Sequence, residues 1–229
     1  MSETAAWSQA VLTIDTSSPQ GSIALYDGQS LSTRSWPAGR SHTTTLLSEI
    51  HHLLDTTEVE IATLAAISVA IGPGTFTGLR VGLGVAKGFH LATGIPLIAV
   101  STLEATALPF ASCGITVVPV VAAGRSRLTW ARYEHIDSGL RATEPPRNST
   151  VDELVAALVR YGPSIVAGEL TDDQATALRS APTARVPALP VRLRHPGAFA
   201  EITWTRYRQN DFDDAASMEP IYLSRSTGS

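Results

Sequence analysis

Apolar positions along the chain fall into short β-branched runs separated by stretches of helical spacing, the pattern of a mixed α/β protein. Val11-Leu12-Thr13-Ile14, ended by Asp15-Thr16, predicts a buried strand. Gly21 to Asp27 follows a Ser-Pro-Gln turn and completes a hairpin. Leu46, Leu47, Ile50, Leu53 and Leu54 then recur on one face of a helix, with Ser41 as its expected N-cap. Leu64 to Ile71 reads as a second buried strand, bounded by Gly72-Pro73-Gly74. The helix after that turn is expected to run to about Ala92 and close at Gly94, before a strand from Pro96 to Val100.

Ser101…Glu104 has the spacing of a capping box and opens a short Ala-rich helix leading into a second lobe. Thr116 to Val121 and Leu128 to Tyr133 predict paired strands. Capping boxes at Thr150…Glu153 and Thr171…Gln174 open helices over residues 151–160 and 172–180, with a strand at Ile165-Val166-Ala167 between them. Residues 181–196 hold four prolines and predict a connecting loop; a last helix covers Gly197 to Arg208. The apolar tail Glu219 to Leu223 is expected to dock on the body of the protein. Two hairpin-then-helix halves fit an actin-like ATPase architecture as well as any doubly wound fold. An ordinary dinucleotide fold expects G-x-G-x-x-G after its first strand, and here no glycine follows Asp15 until Gly21.

Composition narrows the function classes. With 229 residues, 44% hydrophobic and 17% charged, the chain can bury one large core or two small ones. A formal charge of −4 argues against a broad basic face that binds nucleic acid unaided. Cys113 is the single cysteine, so neither an internal disulfide nor a cysteine metal site can form. The start Met1-Ser2-Glu3-Thr4 has no basic n-region, and no apolar run reaches ~18 residues, so the expected location is the cytoplasm, with no membrane contact.

Ile71 to Gly88 is the most unusual stretch. It is not a Walker loop, because Lys87 precedes Gly88 and no hydroxyl residue follows, and Thr77 stands where a third glycine of G-x-G-x-x-G belongs. The turn permits a sharp exit from the strand, with Thr75 or Thr77 expected to cap the new helix. Four glycines between Gly78 and Gly88 cost on the order of 0.8–1 kcal/mol each relative to alanine, so the helix must gain elsewhere. Gly78, Gly82 and Ala86 form one smooth stripe, and Gly84 and Gly88 a second on another face. One stripe would meet its own sheet; the other could meet a helix of this chain or of a partner.

Gly72-Pro73-Gly74-Thr75-Phe76-Thr77-Gly78-Leu79-Arg80 closely resembles the G-P-G-S-F-T-G-L-R signature of the bacterial TsaB (YeaZ) proteins, with Thr75 in place of serine. The resemblance extends to Ile14-Asp15-Thr16-Ser17, Ser41-His42, Pro96, Ser101-Thr102-Leu103-Glu104 and Pro220-Ile221-Tyr222-Leu223. It implies a two-lobed actin-like (ASKHA) fold, each lobe a mixed sheet with flanking helices. On that reading residues 1–104 are the N-terminal lobe, with the tail 215–229 packing back on it, and residues 105–214 the C-terminal lobe. It also implies an accessory subunit that pairs with a catalytic TsaD-type paralogue and, with a TsaE-type ATPase, threonylcarbamoylates the adenosine beside the anticodon of tRNAs reading codons that begin with A. The tRNA would be met only through the complex, and ATP or ADP with Mg only within it. Carried over, residues 41–54 and 75–92 form the dimerisation surface, with His42, Leu46, Ile50, Leu53, Gly78, Arg80, Gly82, Leu83 and Ala86 as interface residues, in a heterodimer or a homodimer. The second lobe departs from the pattern: Asp-Ala-Arg is expected before its Trp-containing strand, and Ala122-Ala123-Gly124-Arg125-Ser126-Arg127 stands there.

Catalytic equipment is sparse. The paralogue's metal-binding H-x-x-x-H pair has no counterpart, since no two of His42, His51, His52, His90, His135 and His195 are four apart, and no metal site is expected. Asp15 stands where actin-like ATPases place a carboxylate near Mg and phosphate; with Thr16, Gly74 and Thr75 it is the candidate phosphate contact. The competing reading of Asp15 is a strand-end residue bonded to nearby backbone and hydroxyls. No serine lies in a G-x-S-x-G elbow. Three readings follow: a non-catalytic pairing subunit, a self-sufficient actin-like ATPase or transferase using Asp15, and a homodimeric binding module unconnected with tRNA.

Overall fold

A computed structural model describes residues 7, 9–37, 42–136 and 139–221. The chain divides into two compact units, Met1–Val100 with Pro196–Pro220, and Ser101–His195 with Ile221–Ser229.

The first unit is built on a five-stranded sheet in the order β3-β2-β1-β4-β5. Its strands are β1 (Val11–Asp15), β2 (Gln20–Tyr26), β3 (Leu31–Pro37), β4 (Ala66–Gly72) and β5 (Leu97–Ser101); its helices are α1 (His42–Thr57), α2 (Phe76–Thr93) and, from the end of the chain, α7 (Pro196–Arg208). β1 pairs antiparallel with β2 and parallel with β4, aligning Leu12 and Ile14 with Leu25 and Ile23 on one side and with Ile67 and Val69 on the other. These six side chains share one face and meet Leu46, Ile50, Leu53, Leu83 and Ala86 of α1 and α2 in the core. The opposite face, with Thr13, Ala24, Ala66 and Ser68, is small and partly polar, so α7 can approach closely. There Thr203 Oγ1 lies 2.6 Å from Ser68 Oγ, which satisfies two buried hydroxyls.

Several expectations need correction. Strand β3 was not foreseen, because its sequence Leu-Ser-Thr-Arg-Ser-Trp-Pro has little apolar alternation; it is an edge strand with only Trp36 buried. The last helix packs on the first sheet, so the C-terminal lobe does not extend to residue 214. Met218, just before the tail expected to dock, joins the first core, whereas Ile221 is exposed and Tyr222 onward lies outside the described residues, as does the Ser41 cap. Segment 211–213 also covers the free edge of β5. The Asp213 carboxylate accepts from Ala99 N–H at 2.7 Å, and Arg206 donates to the Ala99 carbonyl at 2.7 Å.

The second unit holds β6 (Thr116–Ala122), β7 (Leu128–Trp130), β8 (Tyr133–Ile136), β9 (Gly139–Ala142), β10 (Arg147–Ser149), β11 (Ser164–Gly168) and β12 (Ala184–Arg185), with helices α3 (Thr102–Ala107), α4 (Val151–Tyr161), α5 (Asp172–Arg179) and α6 (Leu189–Arg192). The path of its sheet is β10-β7-β6-β11-β12, with β8 between β6 and β9. The predicted strand 128–133 is therefore two strands, broken at Ala131-Arg132. The Pro-rich loop contains β12 and α6. Both later capping boxes form: Thr150 N–H donates to Glu153 at 2.7 Å, and Thr171 N–H to Gln174 at 3.0 Å. Ser101 makes no cap hydrogen bond, because its side chain instead bonds Tyr133, whose phenol is pushed up to about 12 chiefly by burial.

Candidate functional site

Strands β1 and β4 are parallel neighbours, so both chains leave the sheet at the same end. β4 ends at Gly72, whose peptide bond to Pro73 is cis. Thr75 N–H then donates to the Ser17 carbonyl at 2.7 Å. A Cβ on Gly74 would lie 2.5 Å from that same oxygen, one on Gly78 would lie 1.8 Å from the Thr16 carbonyl oxygen, and one on Gly82 would lie 2.5 Å from Thr16 Oγ1. The three glycines are spaced by four residues so that the Asp15–Ser17 segment can lie directly against the first turns of α2. The Thr16 hydroxyl donates to the Gly78 carbonyl at 2.7 Å. Asp15 Oδ1 accepts from Ser17 N–H at 2.8 Å and from the Ser17 hydroxyl.

Asp15, Thr16, Gly74 and Thr75 are thus brought together, but much of their polar capacity is directed at one another and at Ser17. Thr75 occupies the N-cap position without a side-chain cap bond, and Thr77 lies inside the helix, so the expected hydroxyl cap is absent. The end of α2 is as expected, with Gly94 left-handed at φ 74° and its N–H bonded to the His90 carbonyl.

The expected interface residues fall mostly on the inner side of their helices. Leu46, Ile50, Leu53, Leu83 and Ala86 are buried in the first core, and Gly78 and Gly82 face β1 and its exit. These residues were carried over from the resemblance; the apolar periodicity of Leu46, Ile50 and Leu53 marks the face a helix turns to its own sheet. Arg80 is exposed, its guanidinium 3.8 Å from the Phe76 ring centroid. His42 begins α1, and its side chain lies outside the described residues.

The outward face is different. Among the described residues nothing lies within 4 Å of where a Cβ on Gly84 or Gly88 would stand, and Leu91, near them on the same side of α2, is 84% exposed. Leu47 on α1 is 46% exposed. A groove of about 420 Å³, lined by Leu47, Leu54, Val59, Ile61 and Phe89 among others, is bounded by α1, the turn after it and α2. Periodicity had included Leu47 in the buried stripe and gave no hint of Val59 or Phe89.

A sequence profile of the family described as "TsaD: tRNA N6-adenosine threonylcarbamoyltransferase" matches residues 37–181. The "tRNA threonylcarbamoyladenosine biosynthesis protein TsaB" of Escherichia coli K12 is 31% identical over 132 residues, 57% of this chain and 57% of that protein. The chain belongs to the TsaB (YeaZ) family. The match spans little more than half of the E. coli protein. An uncharacterized protein of Mycobacterium tuberculosis H37Rv is 32% identical over 219 residues, covering 94% of this chain and 92% of its own length. The structure of YeaZ from Pseudomonas aeruginosa superposes with a TM-score of 0.75 at 22% identity, over 94% of this chain and 100% of that one. A Bacteroides thetaiotaomicron protein described as having an actin-like ATPase fold and unknown function matches at TM-score 0.50 and 10% identity, over 88% of this chain and 99% of its own. The TsaB fold is therefore of the actin-like class, two mixed sheets with flanking helices.

Among the described residues, no three His, Cys, Asp or Glu side chains come together as a metal site. No described helix is long and apolar enough to cross a membrane.

Proposed function

We propose that this chain is an accessory, non-catalytic subunit in the formation of threonylcarbamoyladenosine on tRNA, pairing with a TsaD-type paralogue through the outward face of α1 and α2. A TsaE-type ATPase would complete the assembly, and tRNA would be met through the complex in the cytoplasm. The observation that carries the reading is the pair Gly84 and Gly88. Among the described residues nothing lies within 4 Å of where a Cβ on either would stand, yet each lowers the helix's intrinsic stability. Such glycines make sense where a second backbone must come close. Family membership supports the tRNA-modification context, and the internal hydrogen bonds of Asp15 and Thr16 support the absence of independent chemistry.

The test is co-purification with the cognate TsaD-type protein and reconstitution of threonylcarbamoyladenosine on tRNA. Gly88→Arg, at a position where an added Cβ meets nothing among the described residues, is expected to keep the fold and lose both pairing and stimulation of modification. Normal pairing by Gly88→Arg would remove this face from the interface. Mg-ATP turnover by the chain alone, abolished by Asp15→Asn, would establish instead the self-sufficient enzyme.

A further inference from the structure

We infer that Arg192 holds a small oxyanion, a carboxylate or a phosphate, at the carboxyl end of β11 in the second unit. The residues concerned lie outside the face proposed above for pairing. Gly168 ends β11 with a φ of 128°, and Glu169 N–H donates to the Val120 carbonyl of β6 at 3.2 Å. The chain then runs through Leu170 to Thr171, the cap of α5. Two arginines of the segment 189–195 reach this corner. Arg194, whose side chain is 6% exposed, pairs with Glu169 at 2.9 Å. Arg192, the last residue of α6, is 3% exposed and donates from Nη2 to the Leu170 carbonyl at 2.8 Å.

Arg192 has no carboxylate of its own. Among the described residues none forms an ion pair with it, and its Nε–H is buried without a hydrogen-bond partner. Burial, with Arg179 adding to it, pulls the guanidinium below its ordinary pKa, against an opposing pull from Asp172. The group stays protonated all the same, so a full positive charge is buried against a single carbonyl. Arginines taken out of water are ordinarily paired, because an uncompensated charge is costly to bury.

A water accepts from Nε but leaves the charge uncompensated. An oxyanion answers both needs, since Nε–H and the adjacent Nη–H run parallel and match two oxygens of one carboxylate or phosphate. Leu189 to Val191, in the same turn as Arg192, are exposed, so one turn of chain separates the guanidinium from solvent. Asp172 and Asp173, in the first turn of α5, are exposed and screened by water and salt.

The test is thermal unfolding of the full chain in chloride, phosphate and acetate at equal pH and ionic strength. The midpoint of wild type is expected to rise with the logarithm of the concentration of the oxyanion that binds. Whether phosphate, acetate or both give the rise assigns the class. Arg192→Met keeps most of the side-chain length and removes the charge. It is expected to match or exceed wild type in chloride, because an unpaired buried charge has gone, and to show no rise beyond the general salt effect. Arg185→Met, at an exposed arginine of the same unit, is expected to keep the whole rise. Should Arg192→Met not fold, Arg192→Lys supplies the comparison. It keeps the charge, lacks the fork, and is expected to weaken binding about tenfold. Equal wild-type midpoints in all three salts, or a rise that the Arg192 variant retains in full, would overturn the site. So would a loss of stability in Arg192→Met with no anion effect in wild type, which marks a purely structural arginine.

Discussion

At the scale of residues, the glycines of α2 separate into two kinds that the sequence writes with the same letter. Gly78 has the Thr16 carbonyl where a Cβ would go, and Gly84 has open space. Gly78→Ala must push backbone against backbone and is expected to destabilise the chain by more than about 2 kcal/mol. Gly84→Ala removes only the flexibility of glycine and is expected to stabilise it by roughly 0.5–1 kcal/mol. Urea denaturation of the two variants checks the contrast, and a shift of the same sign in both would contradict the assignment of faces. The signature G-P-G-x-x-x-G is thus legible in the sequence as a motif, but its meaning depends on what lies across from each α-carbon.

At the scale of elements, local signals served best where the chain satisfies itself. The boxes at Thr150 and Thr171 form because cap and N3 residue are three apart on one chain and need no tertiary partner. Thr171→Ala is expected to cost about 1 kcal/mol in the second unit, read from thermal unfolding. Glu153 has its pKa lowered, first by the Thr150 backbone N–H, then by the Thr150 hydroxyl. A depressed carboxylate contributes stability above its unfolded value of 4.5, and that contribution is lost as the pH falls through the lower folded value. Glu153→Gln is therefore expected to flatten the acid limb of the stability profile, which a series of denaturation curves between about pH 6 and pH 2 would reveal. Ser101 shows the limit of local reading: its spacing to Glu104 suits a box, but Tyr133 competes for its side chain from far along the sequence.

At the scale of the molecule, the first unit is discontinuous and the second nearly continuous. Residues 101–195 contain two core clusters of their own, one around Val118, Leu154 and Leu178 and one around Leu103, Val117 and Tyr133. A fragment of residues 101–195 is expected to unfold cooperatively. A fragment ending at Val100 is expected to aggregate, because it lacks α7 over Thr13 and Ser68 and the Asp213 cover on β5. Circular dichroism and size-exclusion of the two fragments test this; a monomeric, cooperatively folding first fragment would contradict it.

The sequence by itself determined most strands and helices, the turn at Gly72-Pro73-Gly74, two caps and the family, because each depends on neighbours a few residues apart or on a contiguous motif. Tertiary structure decided which side of α1 and α2 is spent. Hydrophobic periodicity reports the face that must leave water, and Leu46, Ile50 and Leu53, which the resemblance had carried over as interface residues, lie in the core. It also decided that α7 returns to the first sheet, where the small side chains of that face accept it. The exposed surface, with Gly84, Gly88 and Leu47, emerges only when the inside has been filled, since exposure is a property of what remains uncovered.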